Sequence, residues 1–198
     1  YSVRLGVNGC IEKQPSSLLP KYQITSGITA RLPIGKHSAI SLSLNYARKA
    51  FQYSTSINLY LSAYYRFYSD ISKTSIEAPI LYEYQFNKGC YIGIGAFADG
   101  TLTSTYEVYF IYRSSNIEAD KPFEERNKFN RKFDFGPCLN VGMIAKNGVG
   151  IQLLYTSGWK QFKTYRNYDY NKDLYFKNLA LTVSYTFSHL KKSQQDEN

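Results

Sequence analysis

Apolar and polar residues alternate strictly over most of the chain. The clearest stretch is 177–187. Leu179, Leu181, Val183, Tyr185 and Phe187 fall on one face, and Asn178, Ala180, Thr182, Ser184 and Thr186 fall on the other. Period-two alternation predicts a β-strand with one apolar face. Stretch 38–48 repeats it, with Ile40, Leu42, Leu44 and Tyr46 set against Ser41, Ser43, Asn45 and Ala47. Stretches 75–86, 132–144 and 148–159 follow suit, and weaker versions occupy 1–10, 23–33 and 89–103. The polar face carries small side chains rather than the long charged ones of a solvated sheet. Small polar residues suit the crowded interior of a narrow barrel. The expectation is an all-β, antiparallel, up-and-down transmembrane barrel of eight strands, an even number as single-chain bacterial barrels have. Ten strands remain open, because Asn58 to Tyr65 reads either as an extension of strand or as an extra hairpin.

The connections alternate in length. Pro33 to His37, Asn87-Lys88-Gly89 and Lys146-Asn147-Gly148 are tight, and the last two have the Asn/Gly chemistry of hairpin turns. Stretches 11–22, 49–74, 104–131 and 160–176 are long. Short turns on one side and long loops on the other describe a membrane barrel with periplasmic turns and termini and extracellular loops. The aromatics fit two membrane–water interfaces: Tyr82, Tyr84, Phe86, Tyr185 and Phe187 near the short turns, Phe133, Phe135, Tyr155 and Trp159 near the long loops.

Composition narrows this picture. With 20 Tyr and 12 Phe, the chain is rich in rings. Its mean hydropathy of −0.38 would suit a soluble protein, yet a membrane strand needs only every second residue to be apolar. No run approaches the roughly 18 apolar residues of a membrane helix. The chain opens without a basic segment and apolar run, so a targeting segment is expected to be missing from it; a cytosolic protein is the alternative. The net charge is +9. No recognisable nucleic-acid module accompanies it, so no nucleic-acid partner is expected, and contact with outer-leaflet lipid phosphates is the membrane reading. Cys10, Cys90 and Cys138 form no metal motif. His37 and His189 both fall on the short-turn side, away from the outer rim where a histidine-based triad would be needed. No cofactor and no enzymatic activity are expected.

The run Ser75-Ile76-Glu77-Ala78-Pro79-Ile80-Leu81-Tyr82-Glu83-Tyr84-Gln85-Phe86, followed by Tyr91-Ile92-Gly93-Ile94-Gly95-Ala96, Asp134-Phe135-Gly136 and the closing Ser184-Tyr185-Thr186-Phe187, resembles the outer-membrane β-barrel domain family. These are the PorT-like "porin family" small barrels of Bacteroidota. The resemblance covers nearly the whole chain and implies one barrel domain over 1–187. Some members act in the type IX secretion system. The family usually ends at the terminal aromatic, whereas here a polar tail, 188–198, follows Phe187 and is expected to be periplasmic.

In this register Arg4, Arg31, Glu77, Glu83, Asp99 and Asp134 point inward. Charges in a narrow lumen must be paired, so Arg4, Arg31, Glu77, Glu83 and Asp134 are expected to form an ion-pair cluster; a proton or ion path is the functional alternative. The long loops hold the interaction candidates: Tyr109, Tyr112 and Arg113 in one, and Lys163, Tyr165, Arg166, Tyr168 and Tyr170 in another. Tyrosine gives rigid contact area, and Lys and Arg give contacts to phosphate or carboxylate. The reading favoured is a non-enzymatic outer-membrane barrel, an accessory or structural subunit of a larger outer-membrane complex for secretion, nutrient uptake or assembly. Its partners would be outer-membrane lipid, lipopolysaccharide and a protein. The alternatives are a stand-alone barrel whose loops bind a surface ligand, glycan or lipopolysaccharide, a narrow channel, and a soluble lipocalin-like barrel with every strand facing the other way.

Overall fold

The computed structural model describes residues 1–10, 19–59, 63–86, 89–114, 117–121, 133–159 and 177–187; at 19, 20, 51 and 71 and over 53–69 and 106–121 the backbone alone is described. Ten strand segments follow one another: β1 (Ser2–Cys10), β2 (Leu19–Lys21), β3 (Gln23–Pro33), β4 (Ser38–Leu59), β5 (Ala63–Gln85), β6 (Cys90–Ser114), β7 (Ile117–Lys121), β8 (Phe133–Ile144), β9 (Val149–Ser157) and β10 (Lys177–Thr186). Eight of them close a ring of antiparallel ladders in the order β1, β3, β4, β5, β6, β8, β9, β10 and back to β1. Closure is made by β1 against β10, from Ser2↔Thr186 to Cys10↔Asn178. The protein is therefore a closed eight-stranded up-and-down barrel, and β2 and β7 are short additions that pair β4 and β6 on the same edges as β3 and β8.

Facing follows the alternation. In β8 the buried positions are Asp134, Gly136, Cys138 and Asn140, and the exposed ones are Phe133, Phe135, Leu139 and Val141. In β10 Asn178, Ala180 and Thr182 are buried, while Leu181 and Val183 are about half exposed. The distribution is inverted relative to a soluble domain: apolar side chains cover the outside and polar ones fill the inside.

The short connections follow their turn chemistry. Gly89 (φ 82°) and Gly148 (φ 84°) adopt the left-handed conformation that residues with a side chain rarely take. At Gly148 the backbone N–H donates to the Ala145 carbonyl at 3.0 Å, and the Asn147 side-chain oxygen accepts from Val149 N–H at 3.1 Å.

The long connections differ from the sequence reading. Stretches 49–74 and 104–131 are in large part strand. β4 and β5 stay in register up to Leu59↔Ala63, and β5 pairs β6 up to Ala63↔Ser114. Asn58 and Leu59, and Ala63 to Tyr65, thus prolong two wall strands instead of adding a hairpin. Tyr109, Tyr112 and Arg113, expected in a loop, lie in β6 opposite Tyr68, Tyr65 and Tyr64. The physical reason is that antiparallel pairing satisfies every backbone group as far as a partner strand continues. Polarity of the side chains marks the end of the apolar wall, not the end of the ladder. Where the wall ends, Leu102 bulges from β6: Ser75 faces Thr101, but Thr74 faces Thr103.

On β5 the outward apolar row runs from Ile76 to Phe86. At a strand rise of roughly 3.3 Å and a tilt of about 40°, that row is about 25 Å tall, the height of a lipid-facing band. Beyond it the outward residues turn polar: Arg48, Gln52, Ser72, Thr74, Thr103 and Thr105. Ser72 and Thr105 share a hydrogen bond of 2.6 Å on this face. The remaining strand, from Ala63 to Thr74 on β5, rises roughly 30 Å further by the same geometry.

Candidate functional site: a layered, charged lumen

Inward positions recur every second residue, so eight strands deliver their polar side chains to one narrow interior. Those side chains sort into layers. The long-strand half is ionic. Lys49, 1% exposed, contacts Glu77 and lies 3.0 Å from Asp99 Oδ2. Lys73 reaches the other oxygen of Asp99 at 3.0 Å, and Ser75 donates to Asp99 Oδ2 at 3.3 Å. Asp134 accepts from Phe135 N–H at 2.8 Å and sits where a Cβ on Gly158 would be, 2.2 Å from Oδ2. Glycine at 158 is what lets that carboxylate approach β9.

The middle is apolar. Leu81, Phe97, Cys138, Leu154 and Ala180 make one buried cluster. Small residues around it admit the Phe97 ring. A Cβ on Gly136 would come within 3.3 Å of the Phe97 ring.

The short-turn half is ionic again. Arg31 Nη2 lies 2.5 Å from Glu83 Oε2 and its guanidinium rests 4.2 Å above the Tyr91 ring. Glu83 Oε1 accepts from Ser41 at 2.8 Å and from Asn140 at 2.9 Å. Arg4 spans the lumen from β1, donating to Gln152 Oε1 at 2.8 Å and to Asn45 Oδ1 at 3.0 Å. Both acceptors are neutral, and Arg4 Nε has no partner among the described residues.

The inward positions anticipated as one ion-pair cluster thus fall in two groups separated by the apolar cluster. Arg31 and Glu83 meet below it, Glu77 and Asp134 lie above it, and Arg4 joins amides instead of a carboxylate. The reason is distance along the strand. Glu77 and Glu83 both point inward, but six residues of β5 separate them by about 20 Å. Sequence reading missed Lys49 and Lys73, because both fell in a stretch taken as loop. Continuing the alternation past Ala47, or back from Ser75, places each of them inside.

Outside, the aromatic residues pair edge to face: Tyr84 with Phe86 at 5.2 Å, Tyr185 with Phe187 at 5.4 Å and Phe135 with Trp159 at 5.6 Å between centroids. Tyr82 is half exposed and its hydroxyl shares a 3.0 Å hydrogen bond with Ser38. Lys163, Tyr165, Arg166, Tyr168, Tyr170 and the tail 188–198 lie outside the described residues. The three cysteines form no disulfide; Cys10 and Cys138 are buried and Cys90 is exposed.

No family model matches the chain, and no curated protein matches it. Two solved structures of Ail, the attachment invasion locus protein of Yersinia pestis, are similar to it over its length. One is 10% identical with a TM-score of 0.39, covering 93% of this chain and 95% of that one. The other, in complex with the heparin analogue sucrose octasulfate, is 12% identical with a TM-score of 0.44, covering 93% and 96%. The barrel itself is established by the strand register, which closes eight ladders without reference to either.

Proposed function

We propose that this chain is a non-enzymatic integral protein of the bacterial outer membrane, closed to conduction, that acts as an accessory subunit of a larger outer-membrane complex. The observation that carries the membrane reading is the inversion of burial. About half of each outward Leu, Ile and Val side chain is exposed in a continuous band, while Arg, Lys, Asp and Glu fill the interior. In water such a band would aggregate; against lipid it is the stable arrangement. Leu81, Phe97 and Leu154 fill the lumen's middle, so the barrel serves as a scaffold and not a pore.

The short turns and the termini face the periplasm and the prolonged β4, β5 and β6 rise outside the cell. A sheet of prolonged strands standing some 30 Å off the membrane on one side offers a protein partner a surface that the shorter β1, β9 and β10 do not. Lipopolysaccharide would meet the aromatic and basic residues at the upper edge of the band, where Arg48, Phe133 and Trp159 are exposed. The likeness of Ser75 to Phe86 and of the Gly-rich stretch after it to PorT-like barrels supports a place in that family and a Bacteroidota source.

A second reading has its own support. The interleaving of Lys163 and Arg166 with Tyr165, Tyr168 and Tyr170, and of Arg113 with Tyr109 and Tyr112, suits a stand-alone barrel that captures an anionic surface ligand or glycan. Extraction of the native protein from its own membranes in mild detergent, followed by sizing and mass spectrometry, separates these. A stable larger assembly is expected. A lone particle would move the function to ligand capture, and recovery without detergent would overturn both readings.

A further inference from the structure

At the short-turn end the barrel encloses an open cavity of about 870 Å³, within the size range of small-molecule sites. Its lining stops short of Leu81 and Phe97, so it is a blind vestibule and not a passage. The charges that line it are unequal: Arg4, Arg31, Lys36 and Lys146 against a single carboxylate, Glu83. That carboxylate is already held by Arg31, Ser41 and Asn140. In the opposite half of the lumen the balance reverses, with Lys49 and Lys73 beside Glu77, Asp99 and Asp134. Among the described residues the inward Arg4, Arg31, Lys49 and Lys73 balance Glu77, Glu83, Asp99 and Asp134, but the vestibule, with Lys36 and Lys146 at its mouth, is left positive.

Arg4 is the anomaly. It is 7% exposed, its two terminal nitrogens donate only to amide oxygens, and Nε has no acceptor among the described residues. A buried guanidinium has five donors and a full charge, and leaving these without a counter-charge is costly. An Arg–Gln–Asn lattice holds the group in place, and the one carboxylate of the vestibule that acts on it, Glu83, is shared with Arg31. Ammonium groups at the mouth, the Ser184 hydroxyl and one proton of the hydrogen-bonded Thr29–Ser43 pair supply further donors.

We infer that this vestibule is a binding site for a small water-soluble phosphate-like oxyanion, anchored by Arg4 and drawn in by Lys36 and Lys146. A guanidinium matches the geometry of phosphate oxygens and outlasts any change of pH that would discharge a lysine. Field lines from like charges converge in a low-dielectric cleft, which raises the local concentration of anions there. The inference needs the folded barrel alone and does not depend on the membrane or complex assigned above.

The test is titration of the full chain, folded in detergent micelles, with inorganic pyrophosphate, read by calorimetry and by the Arg4 Nε–H resonance. Saturable one-to-one binding that weakens with added salt is expected, with that resonance moving as the site fills. Arg4→Gln should weaken binding by roughly tenfold or more, the equivalent of one charge-assisted hydrogen bond. The exposed pair Lys36→Gln/Lys146→Gln should weaken it several-fold with the fold unchanged. Heat-modifiable gel mobility, run on each sample, reports the barrel separately from the site. No saturation, an unmoved Arg4 resonance, or binding lost in the lysine pair yet unaltered in Arg4→Gln would each overturn the inference.

Discussion

Replacing Lys49 by methionine tests the ionic half of the lumen. Lys49 is almost fully buried, and among the described residues it is the only cation within 4.0 Å of Glu77. Asp99 would keep Lys73 at 3.0 Å, so the variant strands one carboxylate rather than two. Methionine preserves the length and most of the volume, which removes packing as a cause. Breaking a buried pair by removing one partner costs about 3–5 kcal/mol, because the surviving charge stays desolvated. That is roughly a hundred- to several-thousandfold in the folding equilibrium constant. Equilibrium unfolding in urea, in lipid vesicles and read by tryptophan fluorescence and gel mobility, would measure it, since Trp159 is the single tryptophan. The decisive comparison is the double variant Lys49→Met/Glu77→Gln. With the stranded charge neutralised, most of the loss should return, leaving a deficit of about 1–2 kcal/mol for imperfect hydrogen bonding. If Lys49→Met unfolds at the wild-type urea concentration, or if Glu77→Gln adds to the damage instead of relieving it, the lumen is wet enough to solvate these groups and the argument from burial fails.

Four further outcomes follow from the same geometry. Leu181→Arg, on the outward face, should cost about 2–4 kcal/mol in vesicles where the site sits near mid-bilayer, and a cost near zero would mean that this face meets water. Gly93→Ala should destabilise the barrel by about 1–3 kcal/mol, because its Cβ would lie 2.2 Å from Asn140 Oδ1 and 3.0 Å from Glu83 Cγ; unchanged thermal unfolding of the variant would contradict this. In planar bilayers the wild type should show no steady conductance, and a reproducible unitary current would refute the filled lumen. Deleting 188–198 should leave heat-modifiable mobility intact if the barrel domain ends at Phe187, and its loss would move that boundary.

The wall of this barrel was legible because alternation is a local property that each strand states for itself. Leu179 to Phe187 or Ile40 to Tyr46 required no knowledge of their neighbours. The charged residues inside were legible for the same reason, and Arg4, Arg31, Glu77, Glu83, Asp99 and Asp134 all occupy inward positions. Their partners were not, because pairing across a lumen depends on height and stagger, which arise only when eight strands are registered together. The extent of β4, β5 and β6 was hidden for a different reason. Once both faces of a strand are polar, the period that identifies it vanishes, and Lys49, Lys73, Tyr109, Tyr112 and Arg113 then look like loop. The Leu102 bulge compounds this by shifting the phase on one side only.

The ladder that closes the ring bears on how the chain comes to be folded. Seven of the eight wall ladders join strands that are neighbours along the ring and close in sequence; the exception is β1 against β10, which joins Ser2 to Thr186. Bringing those two edges together costs roughly 3 kcal/mol more in loop entropy than closing a hairpin of five residues. The seam is therefore the wall ladder with the largest loop-closure cost, and without it the molecule would be a curled sheet with two unsatisfied edges. Its nine residue pairs, Ser2↔Thr186 to Cys10↔Asn178, then convert an aggregation-prone ribbon into a wall without edges. Losing either terminal strand would not give a smaller barrel but an open one, so both ends of the domain are subject to the same all-or-none requirement.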